Sequence, residues 1–418
     1  MSVGARRGWG TALGLALAGA LTAAPSALAD SGPASAPAAD APYAATTGVG
    51  VHNAYEKSKY PYFADALDSG AGMLELDVWT NVFGGGWRVS HSNPVGNDNN
   101  CENAQKPEEL RTKARNQRLD GCLSDMKAWH DAHPGHRPVL VKVELKDGFQ
   151  AKNGRGPAEL DALLRSKLGD ALYRPGQLAE GSANLDEAVQ KKGWPDRSDL
   201  AGKFIVELIP GTVEQNNPAD RLWTDREYAT HLRDLAAAGR LADAGAFPAV
   251  LGAASGDPRT RYQDASIRPW FVLFDGDASV YAGGSVDTKW YADRRYLVVM
   301  SDAHNVPPAI SATHPTEAQA RDRVALLAGR GVRHVPVRPR ARRHQRRAPA
   351  RMERPVVRAR RRGQHRPRGD DDPRHLVRGL GSARVGAVGG RADRHAGRGV
   401  RRSVARHRHR VVRCRPHR

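Results

Sequence analysis

Three acids and two histidines stand on or at the ends of apolar runs in the first 144 residues of the chain. In "LELDVW" Glu75 and Asp77 are two residues apart. On a strand that spacing puts both carboxylates on one face. In "PVLVKVEL" the same rule puts Lys142 and Glu144 on one face. "GVGVHN" carries a short apolar run straight into His52 and Asn53, and "WRVSHS" delivers His91. On a solvated face these would be surface ion pairs and turn residues. Parallel strands, however, are usually buried on both faces. Acids that face one another in an interior repel unless a cation sits between them. Asn53, Glu75, Asp77 and Glu144 form an all-oxygen donor set, which suits Ca²⁺. No thiol is nearby, which disfavours zinc. His52 and His91 then become an acid/base pair flanking a metal. Phosphodiester cleavage needs that combination: a cation offsets charge on the phosphoryl oxygens, and placed imidazoles move protons.

Those residues need elements that aim them at one point. Strand-like runs recur at 46–52, 72–79, 87–92, 138–145, 203–209, 247–253, 269–275 and 296–302, and helix-like stretches separate most of them. "YPYFADALDSG" has Phe63, Ala66 and Leu67 at helical spacing and stops at Gly70. "GPAELDALLRSKLG" carries Pro near its start and Gly169 at its end. Thr316 is placed to cap the stretch after it. Strand–helix alternation implies an α/β fold with a parallel sheet covered by helices. No G-x-G-x-x-G follows the first strand, so a dinucleotide fold has no support. The polar residues close the strands at their C-terminal ends, where (β/α) TIM-type barrels carry their chemistry. A barrel is therefore expected.

Composition divides the 418 residues into four parts. Residues 1–29 read as a secretory signal peptide: Arg6 and Arg7, an apolar run, then a small-residue cleavage site at "ALA". Residues 30–43, rich in Ala, Pro and Ser, read as a flexible leader. Residues 44–329 are the barrel, and 330–418 an Arg-rich tail. The net charge of +20 belongs to that tail, which has 30 Arg, no Lys and 5 acids, and so leaves the body at −5. The tail also lacks Asn, Ile, Phe, Tyr, Trp and Thr. It shows no helical or strand periodicity, and resembles a GC-rich gene read out of frame more than a nucleic-acid-binding arm. An exported chain meets oxidising conditions. Cys101 and Cys122 flank one loop-plus-helix segment and are the expected disulfide, worth roughly 3 kcal/mol for a loop of that size.

Together, "VHNAY", "LELDVW", "VSHSNP" and "PVLVKVEL" resemble the catalytic half of the calcium-dependent phosphoinositide-specific phospholipases C, above all their secreted actinobacterial relatives. The family pattern is His-Asn after the first strand, Glu-x-Asp on the second, His shortly after, and Glu on the next strand. His52, Asn53, Glu75, Asp77, His91 and Glu144 fill it in order. The resemblance spans about residues 44–328, with the sharp motifs between 52 and 144. It implies a distorted barrel of the PLC-like phosphodiesterase type, incomplete at the C-terminus because the odd tail begins where a last apolar strand is due. It also implies Ca²⁺ as cofactor, a phosphoinositide lipid as substrate, and attack of the inositol 2-hydroxyl on phosphorus with diacylglycerol leaving. His91 takes the general-acid role by match. His52 contacts the phosphoryl group, and the base is left open among His52, Glu75 and Glu144. Lys142 is the best basic candidate for the headgroup, and Asp302 in "SDAHN" is a pocket candidate together with His304.

Asp275 and Asp277 in "FDGD" are weaker candidates, and His130, His133 and His136 are expected to be solvated at a helix exit. A monomer is expected, secreted, touching membrane transiently at the barrel rim, with no nucleic acid bound by the barrel. Two rivals are a glycerophosphodiester phosphodiesterase, in which His-Arg-Gly typically follows the first strand, and a polyanion-binding protein that acts through the tail.

Overall fold

The computed structural model describes residues 40–80, 85–330 and 334–336; the expected signal peptide, most of the leader and nearly all of the tail lie outside them. In chain order the strands are β1 (Gly48–Val51), β2 (Met73–Trp79), β3 (Arg88–Val89), β4 (Val139–Leu145), β5 (Leu172–Tyr173), β6 (Phe204–Pro210), β7 (Phe247–Leu251), β8 (Leu273–Asp277), β9 (Leu297–Ser301) and β10 (His334–Pro336). Each of the eight runs read from the sequence overlaps a strand. In the run 87–92 only Arg88–Val89 is strand, and the run 269–275 begins in a 3₁₀ turn that ends at Trp270. The two-residue β5 gave no periodicity to read.

Around the sheet the order runs β1, β2, β4, β6, β7, β8, β9, β10 and back to β1, all parallel. β3 pairs antiparallel with the outer part of β2, and β5 pairs parallel with the start of β6. This is the TIM-type barrel expected. Its last seam is narrow. Where the Pro- and Arg-rich sequence promised no strand, the three residues of β10 pair with β1, and one of them, His334, pairs with Val299 of β9; β10 is three residues long. That is shorter than the four residues of β1 or the five of β9. A ladder this short tolerates a proline at its last position, since the missing N–H falls at the strand's end.

Helices cover the outside. Phe63–Asp68 buries Phe63, Ala66 and Leu67 as the spacing required. Pro157 starts the helix Pro157–Leu168, and Gly169 ends it with φ +53°. The Thr316 hydroxyl accepts a hydrogen bond from the Gln319 N–H and caps the helix Glu317–Ala328. The end of the expected leader is tied down: Tyr43 is buried and donates its N–H to the Pro195 carbonyl at 2.9 Å.

His136 corrects the solvated reading of the histidine-rich helix exit. It is buried against Phe204 and Trp129. It is bonded on both ring nitrogens, to the Arg137 carbonyl at 2.6 Å and to His130 Nδ1 at 3.2 Å. An imidazole can be a core aromatic when both nitrogens find partners, and sequence spacing does not reveal that.

Candidate active site

The sheet register stacks the polar residues in two layers inside the barrel. Glu75 of β2 lies beside Lys142 of β4, which lies beside Glu207 of β6. One step toward the C-terminal rim, Asp77 lies beside Glu144.

Lys142 organises the lower layer. Its ammonium pairs with Asp275 Oδ2 at 2.7 Å and Glu75 Oε1 at 3.3 Å, and donates to Ser301 Oγ at 3.3 Å. Burial alone would lower the Lys142 pKa; the charges of Asp275, Glu75 and Glu207 outweigh it and hold the pKa well above the ordinary value. Glu207 has the opposite fate. Fully buried, beside Asp275, and only partly offset by Lys142, its pKa stands well above the usual carboxylate range. Burial also pushes Glu75 up, but Lys142, His52 and the Asn53 N–H prevail and hold it below that range.

The upper layer opens at the rim. Glu75, Asp77 and Glu144 each present a ligand atom, and these atoms lie within 4.8 Å of one another. Lys146, one residue beyond β4, reaches Glu144 Oε1 at 2.8 Å and Asp77 Oδ2 at 3.3 Å. Burial and the neighbouring Asp77 raise the Glu144 pKa despite Lys146. His91 Nδ1 lies 3.0 Å from Asp77 Oδ2, and that hydrogen bond raises the His91 pKa against the effect of burial. His52 Nε2 lies 3.2 Å from Glu75 Oε2, which also accepts the Asn53 N–H at 3.2 Å.

Two loops bring Asn53 and His91 together. Asn53 has φ +51°, a left-handed conformation that Asn tolerates better than most residues. The loop after β1 zips onto the loop after β3: Lys57 N–H donates to the Asp98 carbonyl, and Asn100 N–H to the Tyr55 carbonyl, both at 2.8 Å. The Asn100 side chain donates to the Ala54 and Tyr60 carbonyls. The next residue, Cys101, is bonded to Cys122 of the helix Leu119–Ala132. The disulfide read from the sequence thus fastens the paired loops to the barrel wall. From β3, Ser90 N–H donates to the Asp77 carbonyl at 3.1 Å and sets His91 opposite Asp77.

The donor set fits a hard divalent cation. Asn53 is 3 % exposed; its Nδ2 donates to Glu56 Oε1 at 2.8 Å, yet its Oδ1 has no hydrogen-bond partner among the described residues. A buried amide oxygen without a donor, beside three carboxylates, is what an oxygen-liganded ion would satisfy. Ca²⁺ binds oxygens at about 2.3–2.6 Å, so one ion can span ligand atoms at these separations.

All six motif residues converge, and so do three weaker candidates. Lys142, Asp302 and His304 line a cavity of about 70 Å³ with His52, Met73, Glu75 and Ser301. Asp275 joins from below through Lys142. Asp277 is exposed and caps the helix Ala278–Ala282 through the Ser279 N–H. Sequence reasoning missed Lys146, Glu207 and Ser301. The first two carried a signal: Lys146 continues the two-residue period of Lys142 and Glu144, and Glu207 holds the same place in "FIVELI".

Comparison with known proteins bears on this geometry. A sequence model of the Ca²⁺-dependent phosphoinositide phospholipases C matches residues 49–220. A solved Ca²⁺-dependent phosphatidylinositol-specific phospholipase C from Streptomyces antibioticus shares 66 % identity at a TM-score of 0.70, covering 71 % of this chain and 94 % of that one. A calcium-dependent phosphoinositol-specific phospholipase C from a Pseudomonas species shares the fold, at 24 % identity and a TM-score of 0.55, covering 72 % of this chain and 92 % of that one. No curated protein sequence matches the chain.

Proposed function

Because the chain belongs to the calcium-dependent phosphoinositide phospholipase C family, we propose that the cluster at the C-terminal rim of β1, β2 and β4 is its catalytic centre. The protein is a phosphoric diester hydrolase that cleaves phosphatidylinositol to diacylglycerol and an inositol phosphate, with Ca²⁺ as cofactor. The observation that carries the site assignment is the orphaned, buried Asn53 Oδ1 beside Glu75, Asp77 and Glu144, between two histidines.

In this reading Asn53, Glu75, Asp77 and Glu144 would hold the ion, which would supply positive charge against the phosphoryl oxygens. The His52–Glu75 pair takes the proton of the attacking inositol 2-hydroxyl. His91, anchored by Asp77 through Nδ1, keeps Nε2 for the proton delivered to the departing glycerol oxygen. Its raised pKa keeps more of it protonated near neutrality, as a general acid requires. Lys142 holds Glu75 from below, and its place in the cavity with Asp302 puts both in reach of the inositol ring.

Three finer readings join this one. The protein is exported, which the Cys101–Cys122 bond supports. It meets a lipid surface with its rim: Val95, Val213 and Leu222 are exposed apolar residues following β3 and β6, on the face that carries the site. It acts as a monomer whose barrel does the chemistry, with the Arg-rich tail beyond β10 playing no part in it.

Product analysis separates this function from the nearest rival. Incubated with phosphatidylinositol, the protein should release diacylglycerol; a glycerophosphodiester phosphodiesterase would release glycerol phosphate from glycerophosphoinositol and leave the lipid intact. The latter outcome would overturn the reading.

A further inference from the structure

Two lysines enter the acidic cluster, and they are not equivalent. Lys142 is held from three strands, by Asp275, Glu75 and Ser301, below the plane of the rim acids. Its charge is matched there whether or not an ion lies above. Lys146 is placed differently. It follows the last residue of β4, and its ammonium bridges Asp77 and Glu144, two of the three carboxylates assigned to the ion. The backbone that carries it is fixed. Gly211 packs so closely that a Cβ there would lie 2.3 Å from the Lys146 Cα, and the Gly211 N–H donates to the Leu145 carbonyl at 2.8 Å. The Glu214 N–H donates to the Lys146 carbonyl at 2.8 Å. The anchor is rigid, and the four-carbon stem beyond it is the part that can move.

We propose that Lys146 is a tethered competitor of calcium: its ammonium occupies Asp77 and Glu144 when the ion is absent, must swing aside when the ion enters, and so sets the calcium concentration at which the site fills. This rests on the reading that those carboxylates hold calcium. Ammonium and ion are alternatives for the same pair of carboxylates. Three carboxylates within 4.8 Å repel one another without a cation. An ammonium 2.8 Å from one oxygen and 3.3 Å from another supplies one. A divalent ion would supply two charges to the same two carboxylates, and an ammonium left bound to them would repel it. Lys146 therefore stabilises the ion-free state and raises the calcium requirement by the same interaction.

Calorimetric titration of the full chain with CaCl₂, without lipid, tests this on wild type, Lys146→Met, Lys146→Gln and Asp77→Asn. Both Lys146 variants should bind calcium at least about tenfold more tightly than wild type. In chelator both should melt at a lower temperature than wild type, and calcium should raise their melting temperature by more than it raises that of wild type. Asp77→Asn should lose calcium affinity. If the Lys146 variants bind calcium as wild type does, or more weakly, while Asp77→Asn loses it, Lys146 is no competitor and the site assignment survives. If Asp77→Asn binds as wild type does, the site assignment fails and this inference with it. Two variants are used because Met removes all polarity while Gln keeps a donor; tighter binding in Gln alone would still support competition by charge.

Discussion

At the scale of single residues, the two histidines divide the labour through their carboxylate partners. Asp77 holds His91 by Nδ1, and Glu75 lies against His52 Nε2. A proton-transfer partner is worth roughly 10²–10⁴ in rate, so His91→Ala and His52→Ala should each lower kcat by about that factor with the fold intact. A substrate with a better leaving group needs less protonation. It should therefore partly rescue His91→Ala and rescue His52→Ala less. Equal rescue of both would refute the assignment of the acid to His91. The grouping of these side chains was legible in the chain, because a strand's two-residue period by itself puts Glu75 with Asp77 and Lys142 with Glu144. Glu207 and Ser301 were not recognised. Their neighbours lie on other strands, and cross-strand register is a product of the whole sheet.

At the scale of elements, the loops after β1 and β3 are pinned to each other and then to the helix Leu119–Ala132 by Cys101–Cys122. Replacing both cysteines by alanine should cost roughly 3 kcal/mol of unfolding free energy, for a loop of 21 residues. Chemical denaturation would measure it; an unchanged midpoint would show that the loops hold without the bond. The pairing was readable because the cysteines flank one segment of a chain whose first residues read as a secretory signal. The buried imidazole of His136, behind the same helix, was not. Burial lowers its pKa from 6.5 to about 4. Between those values the unfolded chain binds a proton that the fold does not, so the stability it contributes is full above about pH 6.5 and is lost as pH falls toward 4. The shift corresponds to roughly 3 kcal/mol across that window. His136→Gln should therefore flatten the fall in melting temperature between pH 7 and pH 4.5 relative to wild type. A parallel fall in both proteins would show that His136 does not carry it.

At the scale of the molecule, the alternation of strands and helices announced the barrel, and its helix ends at Gly169 and Thr316 fell where the sequence placed them. The seam at β10 did not announce itself, because three residues of ladder leave no pattern to read. The rim that carries the site also carries Val95, exposed at 76 %. If that rim meets the bilayer, Val95→Asp should reduce turnover of phosphatidylinositol in vesicles and leave turnover of a soluble monomeric substrate unchanged. Equal effects on both would place Val95 off the membrane-facing surface.

Everything proposed for the site depends on four oxygen-bearing residues at the rim holding calcium, and on the chemistry requiring that ion. Diacylglycerol release from phosphatidylinositol, followed across a calcium titration and in excess chelator, for wild type and Asp77→Asn, tests it most directly. Wild type should be active with calcium and silent in chelator, and Asp77→Asn should need more calcium for half its activity. Undiminished turnover in chelator, or an unshifted calcium dependence in Asp77→Asn, would contradict it.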